Sequence, residues 1–176
     1  MNYYCVACRT GGEAKVRAHL NKFFTRELGD LNDVRVFFPM RKMFERRKGK
    51  QMVTDQPILP GYLMLSSAQS LDLMMIDVER IPGSYGFLRN IDKSICLKAS
   101  DMEYAAWIMG NNGVIKPSKV IFNEGEPIKV TEGPLMNLHG NIVRIDHRGS
   151  RVLVEFDFAG VVRRVSMPVE FIGSDK

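Results

Sequence analysis

The chain is poor in the residues that carry most chemistry. Its 176 residues include three cysteines, three histidines and one tryptophan, and no apolar run approaches a membrane span. A transmembrane helix needs about 20 consecutive apolar residues, so helical membrane proteins are excluded. The opening Met1-Asn2-Tyr3-Tyr4-Cys5 has no basic stretch leading into an apolar one, so no secretory leader is expected and a cytoplasmic location follows as the expectation. Three cysteines are too few for a disulfide framework. Cys5 and Cys8 form a C-x-x-C, but a zinc site needs a second ligand pair, and a redox motif usually opens a helix. Here the pair lies in a strand-like stretch, where residues three apart face opposite ways. Two packed thiols are the better reading, and Cys96 stands alone.

Catalytic signatures are also missing. There is no phosphate-cradling G-x-x-x-x-G-K-[ST] and no H-E-x-x-H. His19, His139 and His147 lack carboxylates at ligand spacing, and Asp101 with Glu103 reads as helix capping. No enzyme activity, metal or cofactor is expected.

What is present is an ordinary globular composition, 45% apolar and 26% charged, enough for one medium domain or two small ones. Lys and Arg number 25 against 20 Asp and Glu, a net charge of +5 that is unevenly spread. Residues 1–116 hold 17 basic and 12 acidic residues, whereas residues 117–176 hold 8 of each. Gly110-Asn111-Asn112-Gly113 and Lys116-Pro117-Ser118 punctuate the boundary, which places a linker at 111–122 between domains 1–110 and 123–176.

The first part alternates strand and helix patterns. Thr10-Gly11-Gly12-Glu13 fits a capping box, and Val16, Leu20, Phe23 and Leu28 follow at near-helical spacing. Val34 to Phe38 is strand-like and runs into a basic hairpin with Gly49 at its tip. Tyr62 to Leu65 reads as a strand and Leu71, Met74, Met75 and Val78 as a helix. Tyr85 to Leu88 is a further strand, and Ser100 with Glu103 caps a last helix through Trp107. This order is that of a split βαβ, ferredoxin-like α+β sandwich. The second part switches to short β-rich runs at Ile128 to Val130, Asn141 to His147, Arg151 to Phe158, Val161 to Met167 and Val169 to Ile172. Five such strands make a small SH3-like barrel.

Several motifs together resemble a known family. Tyr3-Tyr4 opens the first strand, Thr10-Gly11-Gly12-Glu13 opens a helix, and Leu59-Pro60-Gly61-Tyr62 is similar to a Phe-Pro-Gly-Tyr signature with one ring lost. Glu126 to Val143, with Gly133-Pro134 and then Gly140, resembles a KOW motif. In this order they resemble the NusG family of transcription elongation factors, most of all its specialised paralogues such as LoaP and RfaH that serve particular operons. The resemblance implies a factor that docks on the clamp helices of RNA polymerase and acts as a monomer without a membrane. It further implies processive, operon-specific antitermination, recruited through a nascent RNA hairpin. Nontemplate DNA, a termination factor or a ribosomal protein are further partners implied by the likeness. A rival reading is a free-standing structured-RNA-binding module, and a general pausing and termination factor is another.

Candidate residues follow. Tyr4, Phe38, Ile58, Leu59, Tyr62 and Phe87 are candidates for the apolar docking patch, against an equal claim that each simply fills the core. Tyr62 leads, because a phenol suits a boundary between apolar surface and water. Arg41, Lys42, Arg46, Arg47, Lys48 and Lys50 concentrate positive charge on one hairpin, suited to DNA or RNA phosphates or to a solvated edge. In the barrel, Lys129, Asn137, His139, Arg144, His147, Arg148, Arg151, Arg163 and Arg164 offer guanidinium forks and polar contacts for RNA. The competing account pairs these arginines with Asp146, Glu155 and Asp157. Phe158, at a turn that binds partner proteins in general family members, is either a contact or core.

Overall fold

A computed structural model of the chain describes residues 1–29, 33–47, 49–123 and 127–172; the side chains of Arg46 and Arg47 also lie outside the described set. In chain order the elements are β1 (Asn2–Cys8), α1 (Glu13–Leu28), β2 (Val34–Phe37), β3 (Met40–Arg47), β4 (Lys50–Pro57), β5 (Tyr62–Ser67), α2 (Met75–Arg80), β6 (Ser84–Phe87), α3 (Ala99–Gly110), β7 (Val114–Ile115), β8 (Ser118–Ile121), β9 (Lys129–Glu132), β10 (Asn141–Asp146), β11 (Arg151–Phe158) and β12 (Val161–Phe171). They gather into two compact units, Met1–Pro39 with Leu59–Gly113, and Met40–Ile58 with Val114–Lys176.

The first unit is a four-stranded antiparallel sheet in the order β2-β5-β1-β6, the split βαβ arrangement that the strand and helix pattern predicts. Register puts Tyr4 opposite Leu65 and Val6 opposite Leu63. These residues share a core with Val34 and Val36 of β2, Val78 of α2, and Val16, Leu20 and Phe24 of α1. The four-residue steps 16, 20, 24 keep one stripe of α1 inward, so Phe24 takes the buried place and Phe23 packs half-buried beside it. The other sheet face carries Cys5 and Met64 and is covered by α3, which buries Ala105, Trp107 and Ile108. Cys5 and Cys8 thus sit on opposite faces. Burial pushes the Cys8 thiol up to about 11 and Cys5 higher still, so both stay protonated.

Two expected helix starts are corrected. Gly12, which has no side chain to cap with, occupies the N-cap of α1 in place of Thr10, and the Glu13 carboxylate reaches instead to Gly61. Helix α3 begins at Ala99, with Lys98 as an uncapped N-cap, which leaves Ser100 too far inside the first turn to cap it.

In the second unit β3 and β4 form the predicted hairpin, with Gly49 in its turn, and β7 pairs in parallel with the start of β3. The five-stranded sheet runs β10-β11-β12-β8-β9. Val152, Val154, Phe156 and Phe158 alternate inward as expected, facing Val165 and Met167. The strand list changes in two places. Val169 to Ile172 is no separate strand: β12 continues through Pro168, where it leaves β11 and pairs in parallel with β8. Proline lacks a ladder donor, which fits this change of partner. The fifth strand is β8, so the stretch 111–122, expected as a linker, carries β7 and β8. The sheet curls until Pro127 and Ile128 face Gly140 to Ile145 across a groove of about 530 Å³. Gly133 permits the KOW-like turn: its φ is +102°, and a Cβ there would lie 2.8 Å from Ser118 Cα.

Candidate functional site

In the first unit the apolar candidates separate by face. Tyr4 and Phe87 lie in the core with ring centroids 5.8 Å apart. The Tyr4 hydroxyl accepts from the Leu71 N–H at 3.3 Å and donates to the Gln69 carbonyl at 3.4 Å, and burial raises its pKa. Both residues are therefore packing residues, and Ile58 and Leu59 are also buried. Phe38 is half-buried against the core. Tyr62 is half-buried at the start of β5, opposite Ala7 and on the α3 side of the sheet with Met64. Phe37, which register sets opposite Met64, shares that side.

The turn before Tyr62 is held from three directions. Glu13, buried at the first position of α1, accepts the Gly61 N–H on Oε1 at 2.8 Å. The Cys8 N–H donates to the Gly61 carbonyl at 2.8 Å, and the Tyr62 N–H to the Leu59 carbonyl at 3.3 Å. Gly61 has φ +83°, and a Cβ there would meet Thr10 Oγ1 at 3.0 Å and the Cys8 carbonyl at 3.2 Å. Thr10 and Glu13, read in the sequence as a cap, instead build the seat of the Leu59–Tyr62 turn.

On the hairpin, Lys42 Nζ pairs with Asp55 Oδ1 at 3.0 Å, and Gln56 Nε2 donates to Glu45 Oε1. Arg41 is half-buried and Lys50 is exposed. Arg46 and Arg47 lie on β3, but their side chains, and the whole of Lys48, fall outside the described residues. An exposed pair such as Lys42–Asp55 is worth about 0–1 kcal/mol, so it adds little to the stability of the fold.

In the second unit, register sets Arg144 opposite Leu153 and Leu153 opposite Ser166, with Asp146 opposite Arg151 and Glu155 opposite Arg164. Arg144, Arg151 and Arg164 therefore share one sheet face, and Arg144 and Arg151 line a shallow pocket there with Asp146, Leu153 and Ser166. Two of the three are paired: Arg151 Nε with Asp146 Oδ2 at 2.8 Å, and Arg164 Nε with Glu155 Oε2 at 2.7 Å. Asp146 also accepts the Gly149 N–H at 2.9 Å, closing the β10–β11 turn. Arg151 first, and then that N–H, hold its carboxyl below the usual range. Within the turn His147 and Arg148 are exposed. The His147 ring stacks on Phe171 at 4.0 Å and 20°, with Phe122 at 6.4 Å.

The comparisons with known proteins now decide the family. The family described as "Transcription termination factor nusG" matches residues 1–105. The chain belongs to the NusG family. The NusG transcription termination/antitermination protein of Bacillus subtilis is 28% identical over 179 residues, covering 99% of this chain and 98% of that protein. The NusG proteins of Neisseria meningitidis and Escherichia coli K12 are 23% and 22% identical, covering 99% and 90% of this chain and 97% and 87% of theirs. A structure described as "Domain interaction in Thermotoga maritima NusG" matches with a TM-score of 0.60 at 21% identity, covering 95% of this chain and 93% of that one, a likeness of fold. The α+β, NusG-like architecture with a curled KOW-like sheet is thereby shown, and the chain is a transcription factor of that family. Among the described residues no group of three or more His, Cys, Asp and Glu could hold a metal ion, and no helix is long and apolar enough to cross a membrane.

For a NusG-family protein the remaining candidates are unequal. Lys129, Asn137 and His139 are exposed on β9 and on the loop before β10, while Arg163 is half-buried on the inward side of β12 beside Val165. Phe158 is fully buried, which settles it as core. Sequence reasoning missed Phe37, Phe122 and Phe171, and it gave Glu13 a capping role in place of the one it has. The strand alternation of Phe37 was a usable signal; the other three depend on contacts between distant segments.

Proposed function

We propose that this factor docks on RNA polymerase through the α3 side of its first sheet, with Tyr62 at the centre and Phe37, rather than the Phe38 of the sequence reading, at the margin. The observation that supports this most is the seat of Tyr62. A half-buried phenol stands on a turn fixed by a buried carboxylate and a positive-φ glycine, and rigid presentation of an aromatic anchor is what a helical partner needs for tight seating. The clamp helices are the docking partner of this reading. Charge on the hairpin of residues 41–50 then lies available to nontemplate DNA or RNA phosphates, and the KOW-like unit recruits a second partner. We take that partner to be a nascent RNA hairpin, because Arg144 and Arg148 are exposed with no ion pair among the described residues, and Arg148 follows directly on His147, whose ring is stacked on Phe171. Operon-specific antitermination follows when that RNA is bound specifically. Two weak sites on one chain act through raised effective concentration, so neither has to bind tightly alone.

The test is polymerase pull-down with Tyr62→Ala. Truncation of a central anchor costs binding by about tenfold or more, with the fold intact by circular dichroism. Undiminished capture removes Tyr62 from the docking face. A termination factor or ribosomal protein held by the KOW-like unit, with no RNA bound, replaces the RNA arm of the proposal.

A further inference from the structure

Three rings gather outside the core of the second unit. Its interior is filled by Val120, Val152, Val154, Phe156, Phe158, Val165, Met167 and Val169, all buried. Phe122, His147 and Phe171 belong to none of this: Phe122 is 36% exposed, His147 exposed and Phe171 half-buried. They come from three places in the chain. Phe122 follows β8, Phe171 ends β12, and His147 opens the β10–β11 turn.

Each position is fixed by backbone. Phe171 pairs with Val120 across the parallel β12–β8 ladder, and the Ile172 N–H donates to the Val120 carbonyl at 3.0 Å. The Ser150 N–H donates to the His147 carbonyl at 3.3 Å, the Val169 N–H to the Ser150 carbonyl at 3.0 Å, and Asp146 clamps the same turn through Gly149 and Arg151. The imidazole lies on the Phe171 ring at 4.0 Å and 20°, and Phe122 flanks it at 55°. Arg148, the next residue of the turn after His147, is exposed, with no hydrogen bond or ion pair among the described residues.

We propose that Phe122, His147 and Phe171 form a stacking platform for an unpaired base of RNA, with Arg148 holding a neighbouring phosphate. This rests on the reading that the KOW-like unit binds RNA, and it names the contact by which it does so. A preorganised His147–Phe171 stack, with an exposed arginine as the next residue of the same turn, matches a ligand that is both planar and anionic. A nucleotide is both in adjacent atoms, whereas an acidic peptide supplies only the charge. The platform takes bases with little regard to sequence, because every base has a π-face. The paired Arg151 and Arg164 are left as scaffold.

The experiment uses the full chain and a stem–loop RNA with aminopurine at each loop position in turn, together with a single-stranded oligoadenylate carrying the same probe. Fluorescence anisotropy reads binding, and aminopurine quenching reads stacking. Quenching at one loop position is expected. His147→Ala and Phe122→Leu should each remove the quench and weaken binding by about tenfold. Arg148→Ala should weaken binding and lower its salt dependence while keeping the quench. Phe122→Leu retains apolar volume and His147 is exposed, so melting temperatures close to that of the parent separate site effects from unfolding. Binding with no quench at any position, or unchanged in both ring variants, overturns the platform and leaves RNA binding standing. Absence of binding to either probe at low salt overturns both. Loss of protein capture in the ring variants, with RNA binding intact, assigns the surface to a protein and also overturns the platform.

Discussion

Two turns in this molecule are built by the same device in opposite surroundings. In the first unit the Glu13 carboxylate, buried, reaches from a helix to one N–H, that of Gly61. In the second the Asp146 carboxylate, near the surface, holds the Gly149 N–H and the Arg151 guanidinium together. Each turn presents an aromatic residue on a candidate surface, Tyr62 in one and His147 in the other. The difference lies in what solvent can replace. Water can satisfy Gly149 or Arg151 when Asp146 is lost, but it does not reach Gly61. A buried clamp makes the turn part of the fold, whereas an exposed one leaves it adjustable by salt and pH.

The largest break in this comparison is Glu13→Ala. It orphans a buried N–H and leaves a void, and we expect a loss of about 1–3 kcal/mol in urea unfolding. Glu13→Gln keeps an acceptor oxygen and should lose clearly less. Equal losses in the two variants mean that charge, rather than the acceptor, is what Gly61 needs. Next in size is Gly61→Ala. A side chain at φ +83° costs about 1–2 kcal/mol, and the new methyl also presses on Thr10 Oγ1 and the Cys8 carbonyl. Melting temperature reads this loss, and polymerase binding should fall with it, because Tyr62 is the next residue. A stable Gly61→Ala protein that binds as before shows that the turn does not set the position of Tyr62.

How far these features were legible in the sequence depends on the range of the interaction. Alternation in Val152, Val154, Phe156 and Phe158 and the order of elements in the first unit are local patterns, and both fold classes follow from them. The capping box misled because Thr10 and Glu13 have the right spacing for a local cap, and only the fold brings Gly61 into competition for the carboxylate. The supposed linker misled in a similar way. Glycine and proline punctuate 111–122, yet Ser118–Ile121 is short enough to be a strand between turns, and its partner Val169 to Phe171 lies some fifty residues later. Among the candidate residues, the half-buried position of Tyr62 was legible from its amphipathic ring. Tyr4 and Phe87 were not, since alternate strand positions face opposite sides and only register says which side α1 covers. The ring platform had no sequence signal, because its members stand at three distant positions.

The smallest effect tests the exposed member of the pair most directly. Asp146 is held below the ordinary carboxylate range by Arg151 and by the Gly149 N–H. For a group whose pKa is depressed on folding, the stabilisation is complete above the unfolded value, about 3.9, and fades as pH falls through the folded one. Asp146→Asn keeps an oxygen for Gly149 and loses the charge facing Arg151. The variant should therefore melt slightly below the parent at neutral pH, with a constant gap down to about pH 5 that closes below about pH 4. Asp92, whose carboxyl is held at about 2 chiefly by Lys98, is common to both proteins and cancels in the difference. Molar salt should narrow the same gap at pH 7, whereas the Glu13→Ala deficit should persist there, because the lost N–H partner is out of reach of counterions. A gap for Asp146→Asn that is the same at pH 3 and pH 7 assigns its effect to the amide in the turn rather than to the ion pair. The two clamps would then work alike, as hydrogen-bond acceptors, despite their different surroundings.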